Sequence, residues 1–245
     1  MAEKEEGNIQ MSQINLFENA LPKQLFRRLV RAVNSVGTER MADMGSYNTT
    51  FWFPLGAKPS NVVEECIVKL RDLVRPGPEC IGMEWWLGRL AYGQSLPFHT
   101  DRDRSVRQLT GEIVHPLWSS ILYLNLFPSS PTMVFDQILG PDGRSWVPPK
   151  AEFGRTLDAI PNHYVAFTGN LRHGVVAKAE EQDASNGNGK SAASSELRLT
   201  LLVNYWHRRP AAPNCRNYDG AIYHAIQEER EEHAASPQRR RGFAA

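Results

Sequence analysis

The chain has 245 residues, 41% hydrophobic and 22% charged, with a net charge of +1, values that fit one globular domain with a sizeable core. Near-neutral charge argues against a dedicated nucleic-acid binder, and the absence of any run of about eighteen apolar residues argues against a membrane span. Cys66, Cys80 and Cys215 are odd in number and widely spaced and form no zinc-like or redox pair, so free thiols in a reducing cytoplasm are the simpler expectation.

Taken in order, residues 1–12 are expected to be a loose polar tail. Apolar positions 21, 25, 29, 30 and 33 predict a helix with Pro22 in its first turn. Its other side carries Lys23, Arg27, Arg28 and Arg31, which could be a basic patch for nucleic acid, the solvated face of an amphipathic helix being the stronger reading. Tyr47 to Pro54 reads as a strand and turn. Ser60 is expected to cap a second helix, whose stripe is Val62, Val63, Cys66, Ile67, Leu70 and Val74 and which Pro76-Gly77-Pro78 ends. Both helices should buttress the outside of a sheet.

From Ile81 onward the texture is β. Strands are expected over Met83–Gly93, Leu96–Asp101, Ser119–Leu126 and Thr132–Ile138, with a polar loop at Arg102–Arg107 and a turn at Gly140–Gly143. Tyr164 to Thr168 and Leu171 to Val175 flank a Gly169-Asn170 turn, and Glu196 to Trp206 is a long β-rich run. Residues 180–195 have the composition of a flexible insertion, Tyr218–Glu232 that of a helix, and 233–245 that of a basic tail. Short strands divided by Pro and Gly turns predict a mainly β fold with flanking helices (α+β), a double-stranded β-helix or jelly roll, as one domain over 13–232.

The chemistry lies in three places. His99 and Asp101 are two apart on an extended backbone, so imidazole and carboxylate face the same way. A second imidazole, His173, follows the Gly169-Asn170 turn. Arg198 interrupts an apolar strand, and a charge buried there needs an anionic partner.

In this order, H-x-D, a distal His and R-x-T, the sequence resembles the Fe(II)- and 2-oxoglutarate-dependent dioxygenases, prolyl-hydroxylase-like members in particular, over roughly residues 80 to 208. The resemblance implies that His99, Asp101 and His173 hold ferrous iron, leaving positions for 2-oxoglutarate and dioxygen. It implies that Arg198 clamps the far carboxylate of 2-oxoglutarate, with Thr200 two residues on as a further donor. It also gives the Tyr123 hydroxyl, in Tyr123-Leu124-Asn125, a hydrogen bond to the cosubstrate; a core position with its hydroxyl at the rim is the equal alternative. One departure is the wide interval between His173 and Arg198, longer than in many relatives and attributed to the insertion, since lengthening a flexible loop costs little entropy. Relatives that halogenate replace the carboxylate ligand, and Asp101 is retained, so hydroxylation is the default outcome, with desaturation or cyclisation starting alike.

Arg89 and Arg102, with Arg104 and Arg107 nearby, suggest a small carboxylate-bearing substrate such as an amino acid or its derivative, in secondary metabolism. Tyr92 is a candidate pocket residue, with core packing the stronger alternative. The competing readings are an oxygenase of the same superfamily acting on prolyl side chains of protein or on nucleic acid, and a non-catalytic jelly-roll binding module. His115, His163 and His207 lack ligand spacing to the triad. The oligomeric state stays open.

Overall fold

The smaller of two facing sheets carries the histidines, and the larger forms the floor beneath them. The computed structural model describes residues 13–38, 41–42, 49–177, 197–224 and 226. In chain order the elements are β1 (Ile14–Phe17), α1 (Lys23–Val36), β2 (Thr50–Pro54), α2 (Val62–Val74), β3 (Gly82–Ala91), β4 (Leu96–His99), α3 (Arg104–Thr110), β5 (Trp118–Tyr123), β6 (Phe127–Leu139), β7 (Trp146–Val147), β8 (Gly154–Ala159), β9 (Tyr164–Thr168), β10 (Leu171–Val175), β11 (Leu197–Trp206) and β12 (Cys215–Asn217).

The larger sheet has the order β1-β9-β5-β11-β3-β2-β12, and the smaller β4-β10-β6-β7 with β8 also on β6. Pairing is antiparallel throughout except for β12 on β2. This is the jelly roll expected from the strand pattern. One core fills the space between the sheets, with Ile121, Tyr123, Phe127, Val134, Val165 and Phe167. A second lies on the far face of the larger sheet, where Leu29 and Val33 of α1 and Val62, Cys66, Ile67 and Leu70 of α2 meet Trp85, Leu87, Leu201 and Val203. The helices are buttresses, as their apolar stripes require.

β11 shows how the sequence divides these cores. Its Leu201, Val203 and Tyr205 join the helix side. Arg198, Thr200, Leu202, Asn204 and Trp206, the alternate residues, line the cavity on the other side. Asn125 braces this strand where β5 has ended: its Nδ2 donates to the Leu197 carbonyl at 2.8 Å and its Oδ1 accepts from the Leu199 N–H at 2.8 Å.

Several local expectations are corrected. The cap of α2 is Asn61, whose Oδ1 accepts from Glu64 N at 3.0 Å, while Ser60 lies one residue too early and donates its hydroxyl to Glu64 Oε2. Pro22 precedes α1 rather than sitting in its first turn. Arg102–Arg107 is not all loop: Asp103 Oδ1 accepts from Ser105 N and Val106 N and starts α3, which Gly111 ends with a left-handed backbone, φ 78°. This short helix buries none of its residues, so it has no apolar period to read. β1, β7, β8 and β12 were not expected, and residues 218–224 are irregular and bent, so that within the expected last helix only Ile226 among the described residues is helical. The two tails, the insertion at 180–195, Tyr47 and the rest of the proposed last helix save Ile226 lie outside the described residues. No helix among the described residues is long and apolar enough to cross a membrane.

Candidate metal centre

His99 ends β4, and its register partner across the antiparallel pair is His173 on β10. Directly opposed residues point to one face, and the ring centroids are 4.4 Å apart. Alternation sends Phe98 and Arg172 to the other face, where the guanidinium lies 5.0 Å over Phe98 and 4.7 Å over Trp146. The two strands approach closely because residue 174 is glycine: a Cβ there would come within 2.7 Å of Phe98 Cδ1 and 2.8 Å of the Leu96 carbonyl.

Both rings are set in the same tautomer. His99 Nδ1 bonds the Pro97 carbonyl at 2.8 Å and His173 Nδ1 the Leu171 carbonyl at 3.0 Å. A carbonyl only accepts, so each Nδ1 carries a hydrogen and Nε2 is the ring atom each histidine can offer to a metal. Those Nε2 atoms lie 3.7 and 3.8 Å from Asp101 Oδ1, too far for hydrogen bonds, and the three donor atoms are within 4.8 Å of one another. Among the described residues this is the one such cluster of potential metal ligands.

Supporting groups fix the carboxylate. Ser119 Oγ donates to Asp101 Oδ2 at 2.8 Å, Asn204 also hydrogen-bonds it, and His115 Nδ1 bonds the Asp101 carbonyl at 2.5 Å. Burial alone would raise the Asp101 pKa, but the His173 and His99 imidazoles together with Ser119 and Asn204 outweigh it and hold it below the usual range. Burial, helped by His99, lowers His173 to about 4, so its ring is neutral at physiological pH. Two imidazoles and one carboxylate on one side of a cavity are a donor set suited to ferrous iron, and their convergence without mutual hydrogen bonds leaves a position for it.

The cavity holds about 530 Å³. Arg198 lines it, is 5% exposed, and has no carboxylate partner among the described residues. Its Nη2 donates to Thr132 Oγ1 at 2.6 Å, and its buried Nε has no partner. Burial lowers its pKa, an effect the Tyr123 hydroxyl opposes. Thr132 also accepts from the Tyr123 hydroxyl at 2.8 Å, so both oxygen lone pairs are taken and its own hydrogen remains to donate. Thr200 lines the cavity on the Arg198 face.

The other sequence candidates fall differently. Tyr123 is fully buried behind Arg198, its ring 5.2 Å from the guanidinium carbon, and does not line the cavity. Tyr92 does not line it either and packs its ring edge-on to Phe127 at 6.4 Å. Arg89, Arg102 and Arg104 do line it, and Arg107 does not. Burial, then Arg107 and Arg104, lower the Arg102 pKa, so like charges gather at this mouth.

Residues overlooked in the sequence are Ser119, Asn204, Thr132, Asn125 and Glu84. The signal for Asn204 was present in the two-residue period running from Arg198 along β11. Glu84 is 7% exposed and lines the cavity, with Thr50 Oγ1 donating to it at 2.6 Å and Trp206 Nε1 at 3.1 Å. Burial raises its pKa to about 7, against the two hydrogen bonds that lower it.

Fold and site together define a jelly roll with a His-Asp-His donor set and a buried cation in one cavity. No protein-family model and no curated protein matches the sequence. Solved structures similar to this chain include a prolyl-4-hydroxylase of Pseudomonas putida, at 15% identity and a TM-score of 0.46, covering 80% of this chain and 93% of that one. EctD from S. alaskensis in its apoform aligns at 13% identity and a TM-score of 0.49, covering 86% and 79%. HygX from Streptomyces hygroscopicus with nickel and 2-oxoglutarate bound aligns at 12% identity and a TM-score of 0.46, covering 79% and 81%.

Proposed function

We propose that this protein is an Fe(II)- and 2-oxoglutarate-dependent dioxygenase that oxidises an unactivated C–H bond of a small carboxylate-bearing metabolite, an amino acid or its derivative. The observation that carries this is the pairing, in one cavity, of the His99-Asp101-His173 donor set with Arg198, a buried cation that no carboxylate among the described residues answers. A dicarboxylate bound between the metal that these residues would hold and the guanidinium would satisfy both.

His99, Asp101 and His173 would hold the iron, which supplies the coupling of 2-oxoglutarate and dioxygen consumption to C–H oxidation, with succinate and carbon dioxide released. Arg198 and Thr132 present N–H and O–H donors to the far carboxylate, and Tyr123 positions both from behind, whereas the Thr200 hydroxyl donates to the Gly88 carbonyl at 3.4 Å. Ile121, Phe167 and Leu202 supply apolar wall, which keeps the reacting region dry. Arg102 and Arg104 stand at the lining as candidate partners of a substrate carboxylate. Cys66, Cys80 and Cys215 are all free and buried, consistent with a reducing cytoplasm.

The test is anaerobic loading of the full chain with Fe(II) and 2-oxoglutarate, followed by air and a panel of amino acids and small acids. Substrate-stimulated succinate is expected from wild type and is expected to vanish in His99→Ala. No stimulation by any member of the panel, or stimulation that survives His99→Ala, overturns the proposal.

A further inference from the structure

Besides Arg198 and the metal ligand Asp101, the cavity is lined by two buried acids, Asp103 and Glu84, of which Glu84 is the one without charged or multiple N–H partners. Glu84 lies on β3, and its register partner on β11 is Asn204, whose own partner on β5 is Ser119. Ser119, Asn204 and Glu84 therefore form one row across three strands on the cavity face. With strands about 4.8 Å apart, Glu84 stands one strand beyond Asn204 and about 10 Å from Ser119 along that row. Ser119 and Asn204 are the two side chains that hold Asp101. Glu84 is thus beside the proposed iron site without being part of it.

Arg198 and Glu84 sit at opposite ends of the floor, six residues apart along β11 by register, which at strand rise is about 20 Å. The Arg198 end is the cosubstrate end, so Glu84 borders the space left for substrate. Its two oxygens accept one hydrogen bond each, from Thr50 and Trp206, while an ionised carboxylate has about four acceptor positions. No Lys, Arg or His among the described residues pairs with it. Asp103, another acid lining the cavity, differs: its oxygens are taken by the N–H groups of Ser105, Val106 and Ala211.

A merely structural acceptor for Thr50 and Trp206 needs no charge, whereas a carboxylate facing a cavity without a counterion is suited to a cation that arrives with the ligand. We infer that Glu84 is the specificity-determining residue for a cationic nitrogen on the substrate, which makes the preferred substrate class a zwitterion with an ammonium or similar group as well as a carboxylate. This rests on the proposed function for the placement of substrate, and it deepens that proposal.

The experiment uses the full chain loaded with Fe(II) and 2-oxoglutarate under argon, titrated calorimetrically with L-α-amino acids, their N-acetyl derivatives and the matching acids lacking nitrogen. At least one amino acid is expected to bind, and acetylation or removal of its nitrogen to weaken binding about thirtyfold or more, the loss typical of leaving a buried charge unpaired. Glu84→Gln is expected to lose the same factor for the amino acid and to bind the acetyl derivative as wild type does, with Glu84→Asp retaining part of the discrimination. The inference is overturned if no amino acid binds, if the acetylated or nitrogen-free partner binds wild type equally well, or if Glu84→Gln binds the amino acid undiminished. The ligand comparison in wild type stands whether or not the variants fold. Succinate release on admission of air separates the two proposals. Charge-dependent binding without any succinate sinks the dioxygenase reading alone, and succinate stimulated equally by amino and N-acetyl acids sinks the role of Glu84 alone.

Discussion

The two ends of the cavity floor present the same physical problem with different solutions. At one end Arg198 is held by Thr132 and by the face of Tyr123, and at the other Glu84 is held by Thr50 and Trp206. Both are charges taken out of water and supported by neutral dipoles, which cannot repay desolvation as an opposite charge would. The lesson is that the protein is built slightly against its own stability at both ends, a difference that ligands of complementary charge would recover, as proposed above. They differ in response. A guanidinium stays protonated when buried, whereas a carboxylate can take up a proton and escape the penalty.

The sharpest way to break the comparison is to remove one charge. Arg198→Met should weaken 2-oxoglutarate binding by about thirtyfold or more, measured by calorimetry on the metal-loaded protein. The same variant should be more stable to unfolding than wild type when no cosubstrate is present, by about 1 kcal/mol or more, and so melt higher, since an unanswered buried charge has gone. A lower melting point would mean that Arg198 is structural.

Glu84 should show its escape route in the pH dependence of stability. Its pKa is raised from 4.5 to about 7, so the folded protein keeps a proton that the unfolded chain releases. The stabilisation is full below about pH 4.5 and is lost as the pH rises through about 7. Asp101, Asp103, Thr50, Trp206 and Cys215 surround the group, and a difference measurement against Glu84→Gln cancels their own titration. Urea unfolding of the pair at pH 4.5 and at pH 8 should differ by about 3 kcal/mol between the two conditions. A flat difference would break the parallel with Arg198.

Smaller effects sharpen the middle of the floor. Ser119→Ala should reduce Fe(II) affinity about 10-fold to 100-fold with the fold intact, read by metal titration, because Asp101 loses a group that orients it. Gly174→Ala forces a methyl against Phe98 and the Leu96 carbonyl, which should cost about 1–3 kcal/mol and part the two histidines. Asn61→Ala should cost about 1 kcal/mol through the α2 cap and leave metal and cosubstrate binding as they were.

Much of the metal centre was legible because its information is local. Two residues of spacing put His99 and Asp101 on one side, and a turn brings His173 back opposite them. Arg198 stood out as a charge within an apolar run. Glu84 could not be read in this way, since its setting depends on Thr50 and Trp206, which are distant in sequence and brought together only by sheet registry. Tyr123 illustrates the converse: it lies against Arg198, but its hydroxyl reaches Thr132 rather than the cavity. α3 was missed because Asp103 and Gly111 define it through hydrogen bonds and φ, without apolar periodicity.

β11 acts as a measuring rod for the whole interior. Its odd and even positions sort a helix-facing hydrocarbon layer from the row bearing Arg198, Thr200 and Asn204, and both neighbours are keyed to it residue by residue. Inserting or deleting one residue within 197–206 would invert that sorting from the edit onward, turning leucines toward the ligands and polar groups toward the helices. Changes of length before Leu197 escape this constraint, so divergence in chain length among descendants of this sequence should collect there and spare the rod.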